Sequence, residues 1–88
     1  MLISPISLEA AQEFMASRGC SFTPVAKAAF CISIKEDEHL RGVIVIVDAE
    51  GDAALNHAYA DGLEHGYSIL YGAAWKAAKA LGYKRITL

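Results

Sequence analysis

The stretch Asp61-Gly62-Leu63-Glu64-His65-Gly66-Tyr67-Ser68-Ile69-Leu70-Tyr71-Gly72 is where the chain changes its period. Before it, apolar residues alternate as in strands; after it, they recur at helical spacing. From Tyr67 to Leu81 the residues Leu70, Ala73, Ala74, Ala77, Ala78 and Leu81 fall on one stripe, and its four alanines let a helix lie close to a sheet. Gly82 ends that helix, and Arg85-Ile86-Thr87-Leu88 reads as a final strand. A strand at Ala53 to Tyr59, this helix and a second strand imply a right-handed parallel crossover. The loop opens directly into the first turn of the helix, whose N–H groups lack intrahelical acceptors. Those donors and the helix dipole favour a phosphate or pyrophosphate, and Gly66 and Ser68 keep the approach to the backbone free of bulk. The local pattern leaves open a plainer reading, that these are ordinary turn and cap residues.

Upstream, three strands are separated by short polar turns. Val43 to Val47 is an unbroken β-branched run, which fits a strand covered on both faces. Phe30, Ile32 and Ile34 alternate with Cys31, Ser33 and Lys35. Glu36 to Leu40 joins these two strands, and Glu50-Gly51-Asp52 joins the second to the Ala53–Tyr59 strand, on which Leu55, His57 and Tyr59 are expected to share a face. Leu2 to Ile6, interrupted by Pro5, suits an edge strand. Ser7 is a helix cap, with Glu9 in the first turn, Leu8, Ala11 and Met15 on the apolar face and Gly19 as the stop. Cys20 to Lys27 is irregular. The expected fold class is α+β, a mixed and mostly antiparallel sheet in the order β-α-β-β-β-α-β, forming a single domain over residues 1–88.

Composition narrows the function. The chain has 88 residues, 55% apolar and 20% charged, with a formal net charge of −2, so no basic field draws nucleic acid or an anionic membrane. No apolar run approaches the ~20 residues a membrane span needs, and the N-terminus lacks a signal-peptide pattern. The expected location is cytoplasmic. Cys20 and Cys31 are too few for a zinc framework, and Cys31, inside an apolar strand, reads as a buried structural thiol. His39, His57 and His65 do not have ligand spacing, which argues against a metal site.

The segment from Ala53 onward resembles the acetyl-CoA-binding core of the GNAT superfamily of N-acetyltransferases. That core runs strand, Gln/Arg-x-x-Gly-x-Gly/Ala loop, helix, then A-x-x-L-G-Y-x-R into the next strand. Here the loop reads Leu63-Glu64-His65-Gly66-Tyr67-Ser68, and the far end reads Ala77-Ala78-Lys79-Ala80-Leu81-Gly82-Tyr83-Lys84-Arg85. The helix, Ser68 to Tyr83, is similar to that of a small group of phage- and bacteria-associated acyltransferases, the XF1762-like proteins. Leu63 stands at the family's Gln/Arg position and Ser68 at its second Gly/Ala. The resemblance matches the N-terminal half of the GNAT element order and lacks the C-terminal helix and strands, so it implies a chain cut short or completed by a second copy.

The resemblance also implies a chemistry. Amides of Gly66, Tyr67, Ser68, Ile69 and Leu70 would bind the pyrophosphate of acetyl-CoA (coenzyme A), and the backbone of Asn56, Ala58 and Tyr59 would run beside the pantetheine arm. An amine would attack the thioester directly, its acceptor identity unreadable. His57 is the titratable side chain best placed for a general base. Glu64 is expected to face solvent and His65 to meet a phosphate. Tyr71 and Trp75, off the alanine stripe, are expected against a neighbouring element or a second subunit. Asp48 and Glu50 flank a turn and are expected to be solvated, although a carboxylate there would be able to recruit an amine. The competing reading is an inactive GNAT-like assembly module that forms a homodimer through an open edge at Arg85 to Leu88.

Overall fold

A computed structural model describes all 88 residues. The elements are β1 (Leu2–Pro5), α1 (Leu8–Ser17), β2 (Phe30–Glu36), β3 (His39–Ala49), β4 (Asp52–Ala60), α2 (Gly66–Ala80) and β5 (Ile86–Thr87). They form a five-stranded sheet in sequence order, β1-β2-β3-β4-β5, antiparallel except for the parallel β4–β5 pair. This is the α+β class and element order expected from the sequence.

β3 is the centre of the core, and its apolar run is explained by a helix on each face. Val43 and Val45 pack with Ala11, Phe14 and Met15 of α1, whereas Ile44 and Ile46 pack with Leu70, Ala74 and Ala78 of α2. All four β3 residues are completely buried. Each such side chain contributes about 1.5–3 kcal/mol relative to an exposed one. No helix is long and apolar enough to cross a membrane.

Local chemistry sets the boundaries. Ser7 caps α1 by accepting from the Ala10 N–H at 3.1 Å. At the other end, the Gly19 N–H donates to the Ala16 carbonyl (3.1 Å) and the Cys20 N–H to the Met15 carbonyl (3.0 Å). With Gly19 left-handed at φ 70°, this is a Schellman motif, and it fixes the backbone of Cys20. The first hairpin turn is only Asp37-Glu38, both at positive φ, so β3 begins at His39, four residues before the apolar run. α2 spans Gly66–Ala80, one residue earlier than the periodicity predicts, because Leu81 lies past its end and is 62% exposed. β5 pairs only through Ile86 and Thr87, a shorter strand than Arg85 to Leu88.

Two irregularities interrupt the ladders. Ile34 pairs with Gly42 and Lys35 with Leu40, so Arg41 is an extra residue in β3. Val45 pairs with His57 and Ile46 with Leu55, so Asn56 is an extra residue in β4. The second bulge corrects the expectation that Leu55, His57 and Tyr59 share a face. Leu55 packs on the α2 side, whereas Tyr59 packs on the α1 side and His57 meets Cys20 and Phe22 there. A bulge shifts the two-residue alternation by one.

Candidate functional site

β4 has two different edges. On one side it pairs with β3 along its length; on the other it pairs with β5 only at Ala53 and Ala54. Beyond these two positions β4 carries the bulge at Asn56, and a bulge bends a strand and increases its twist.

β4 runs into the loop and turn that start α2. The Gly66 N–H donates to the Leu63 carbonyl (3.0 Å) and the Ile69 N–H to the His65 carbonyl (3.0 Å). Between them, the N–H groups of Tyr67 and Ser68 have no protein acceptor. His65, the residue before the helix, is left-handed at φ 59° and makes no side-chain cap bond. A left-handed residue followed by helical ones turns successive N–H groups into one concavity, an arrangement that accepts anions. The first turn itself carries no acidic residue, which favours a phosphate there, and the preceding Glu64 is turned to His65. Of the predicted cradle from Gly66 to Leu70, the free donors narrow to Tyr67 and Ser68, both solvent-exposed. The Ile69 amide is already engaged, and Leu70 is buried in the core.

Gly66 has a different task from the one its sequence position suggests. A Cβ there would lie 2.7 Å from Ala60 Cβ and 3.4 Å from Leu63 Cβ. Its missing side chain admits β4, not a ligand. Leu63, at the position where the family pattern has Gln or Arg, packs on the α2 side of the core.

The loop is clamped from below. Arg41, aimed by the β3 bulge, donates from Nε (3.2 Å) and Nη2 (2.9 Å) to the Asp61 carbonyl and from Nη1 to Glu36 (3.2 Å). Arg18 of α1 meets the Asp61 carboxylate at 3.3 Å. Glu64 is exposed, with its carboxylate 3.5 Å from His65 Nε2. The loop thus holds its shape without using the Tyr67 and Ser68 donors.

On the α1 side of β4, His57 Nε2 lies 3.2 Å from Cys20 Sγ, and its ring meets Phe22 at a centroid distance of 6.2 Å. Sequence reasoning did not pair Cys20 with His57, because 37 positions separate them and the contact depends on the bulge. Asn56 Nδ2 donates weakly to the Thr23 carbonyl (3.5 Å), while its buried Oδ1 has no partner. Cys31 is buried, as expected, and burial pushes its thiol above the ordinary range.

Three other residues have structural roles. Asp48 accepts from the Gly51 N–H and from the Tyr83 hydroxyl, both at 2.9 Å. Those bonds, the backbone one first, hold its carboxyl below the usual range, and the same contact raises Tyr83. Asp48 is exposed, as expected, and ties the β3–β4 turn to the segment leading into β5. Tyr71 tilts against Tyr67 at 6.4 Å, and Trp75 is 45% exposed beneath Lys79. An apolar groove of about 760 Å³ lies elsewhere, between β1–β2 and α2, with Ile3, Phe30, Ile32, Ile69 and Ala73 in its walls. It reaches α2 beside Ser68, yet offers mainly apolar surface, and the chemistry-bearing groups lie along β4.

No protein-family model matches the sequence, and no curated protein matches it. Among solved structures, the chain is similar to a ribosomal-protein-alanine N-acetyltransferase from Brucella melitensis biovar Abortus 2308. The superposition covers 100% of this chain and 78% of that one, with a TM-score of 0.72 and 17% identity. The chain has a GNAT-like fold. At that identity the likeness establishes the fold alone, and it does not extend to the narrower phage- and bacteria-associated group.

Proposed function

We propose that this GNAT-like domain is an N-acyltransferase that takes an acyl group from acetyl-CoA and passes it to an amine. The observation that carries the reading is that the Tyr67 and Ser68 amides stand unpartnered at the start of α2, directly after β4 and its loop. Those two donors suit a pyrophosphate at a helix N-terminus. Pantetheine contains amides, so those backbone groups between Asn56 and Tyr59 that face away from β3 would pair with it much as a sheet edge pairs with an added strand. The turn that presents the Tyr67 and Ser68 amides is then the cradle.

Acyl-CoA supplies an activated thioester carbonyl. The chain's own part is to hold that carbonyl beside an amine and remove the amine proton. His57 is the imidazole on β4, and we assign it the proton-accepting role. The acceptor belongs to the class of small or peptide amines.

Acetyl-CoA should raise the melting temperature of the full chain. At ten times its Kd a native-state ligand contributes about 1.4 kcal/mol, and for a domain of this size that is about 6–10 °C. The same ligand should protect the Tyr67 and Ser68 amides from hydrogen exchange. No shift at millimolar acetyl-CoA, and no change at those amides, would overturn the assignment.

A further inference from the structure

We propose that Tyr67 and Tyr71 form a stacking platform for the adenine of the acyl donor, so that the domain selects acyl-coenzyme A over an acyl group carried on bare phosphopantetheine. This rests on the acyl-CoA reading above; what it adds is carried by an exposed aromatic stripe on α2.

Tyr67, Tyr71 and Trp75 follow one another at four-residue spacing, so they stand in line on one flank of α2. Ile69, Gly72 and Ala73 line the apolar groove on the other flank. Among the exposed large apolar side chains of the chain, Tyr67 (44% exposed) and Trp75 (45%) are the two aromatic ones, and both belong to this stripe. Contiguous apolar surface left open to water marks a place where a ligand or partner binds.

The two exposed rings are not equally available. The Lys79 ammonium stands over the Trp75 ring, 5.5 Å from its centroid. Tyr67 has no cation over it and is backed by Tyr71, with the ring centroids 6.4 Å apart and the planes inclined at 42°. Tyr71 is half-buried and packs on the α2-side core, which anchors the pair.

Position then selects the ligand. Helical side chains lean toward the N-terminus, which brings the Tyr67 ring to the level of the first turn. There its own N–H and that of Ser68 have no protein acceptor. One residue thus offers an amide to an anion and a ring to a flat group close to that anion. In coenzyme A the adenine is the one aromatic ring, joined through a ribose to the pyrophosphate. Pantetheine is flexible and has no π-face to stack. The adenylate is also what distinguishes coenzyme A from the phosphopantetheine arm of a carrier protein, so a platform that grips it decides which donor is used.

The test is isothermal titration of the full chain with acetyl-CoA and with S-acetyl phosphopantetheine. Tyr67→Ala should weaken acetyl-CoA by about tenfold, within the range for loss of one base stack, and leave S-acetyl phosphopantetheine unchanged. Tyr67→Phe keeps the ring and should bind acetyl-CoA as the parent does. In the parent, the ring-proton resonances of Tyr67 and Tyr71 should shift with acetyl-CoA and not with the truncated donor. The melting temperatures of both variants without ligand should match the parent, because the ring lies outside the core. Equal weakening of both donors by Tyr67→Ala, or acetyl-CoA binding indifferent to that change, would overturn the platform and leave the acyl-CoA reading in place. If the parent binds neither donor, the acyl-CoA reading fails and the platform fails with it.

Discussion

Replacing Gly66 with alanine tests whether the start of α2 is seated against β4 as closely as the structure shows. A Cβ on Gly66 would lie 2.7 Å from Ala60 Cβ, about 1 Å inside the usual carbon–carbon separation of 3.5–4.0 Å. Ala60 is on the last position of a strand and its Cβ cannot rotate away, so the backbones must part. Overpacking of this kind costs about 1–3 kcal/mol. Alanine in place of glycine in a helix recovers up to about 1 kcal/mol; at the first position of α2 the recovery is smaller. The net expectation is a loss of about 1–2 kcal/mol, or roughly 5–15 °C in Tm for a domain of this size. Ala60→Gly removes the opposing atom, so the double variant should be more stable than the two single losses predict. The coupling, read from urea denaturation of all four proteins, should be about 1 kcal/mol or more. Gly66→Ala should also weaken the acetyl-CoA shift, because it displaces the Tyr67 and Ser68 amides. A Gly66→Ala protein as stable as the parent, with no coupling to Ala60→Gly, would refute the close approach.

Arg41→Lys should keep the charge but lose the fork that holds the Asp61 carbonyl from two nitrogens. The expected result is a stability loss of about 1 kcal/mol and a smaller acetyl-CoA shift; an unchanged shift would show that the loop does not need this clamp. Asp48 should make stability acid-sensitive. Its native carboxyl titrates below the unfolded value of about 3.9, so its contribution is complete above that range and is lost as pH falls through the lowered native value. Urea melts of the parent and of Asp48→Asn should therefore differ at neutral pH and converge toward about pH 2; a difference independent of pH would exclude this origin.

The element order was legible because each strand or helix has a strong local signal. The β3 run from Val43 to Val47 announced cover on both faces, Ser7 and Gly19 marked the ends of α1, and the alanines of α2 allowed close packing. Two kinds of information were not local. Strand lengths depended on turns at Asp37-Glu38 and Glu50-Gly51, where non-glycine residues take positive φ. Composition alone did not reveal that Asp37-Glu38 would turn so tightly. The bulges at Arg41 and Asn56 depended on register between strands, which no single strand encodes. The anion cradle was legible as a glycine loop before a helix, whereas the choice of Tyr67 and Ser68 as its free donors required knowing where the Gly66 and Ile69 amides go.

Whether the Asn56 bulge serves the fold or the site can be decided by deletion. Leu55 faces the α2 side and His57 the α1 side, so removing Asn56 alone leaves the remaining β4 residues in regular alternation. Ile46–Leu55 and Val45–His57 can keep their pairing, and the deletion also removes a buried acceptor without a partner, a group that costs about 1–3 kcal/mol to desolvate. Stability should therefore be retained or slightly raised. Deleting Ala58 is the matched control, since it puts Tyr59 and Ala60 on the wrong faces and should unfold the domain. A straightened β4 would nonetheless lose the irregularity that sets the course of its second half toward the α2 turn, and would shift His57. The deletion should then weaken the acetyl-CoA shift in a protein that still melts cooperatively. If it unfolds as the Ala58 deletion does, the bulge is a requirement of the sheet. If it folds and binds acetyl-CoA unchanged, the Asn56 bulge plays no part in binding, and its role in the proposed site fails.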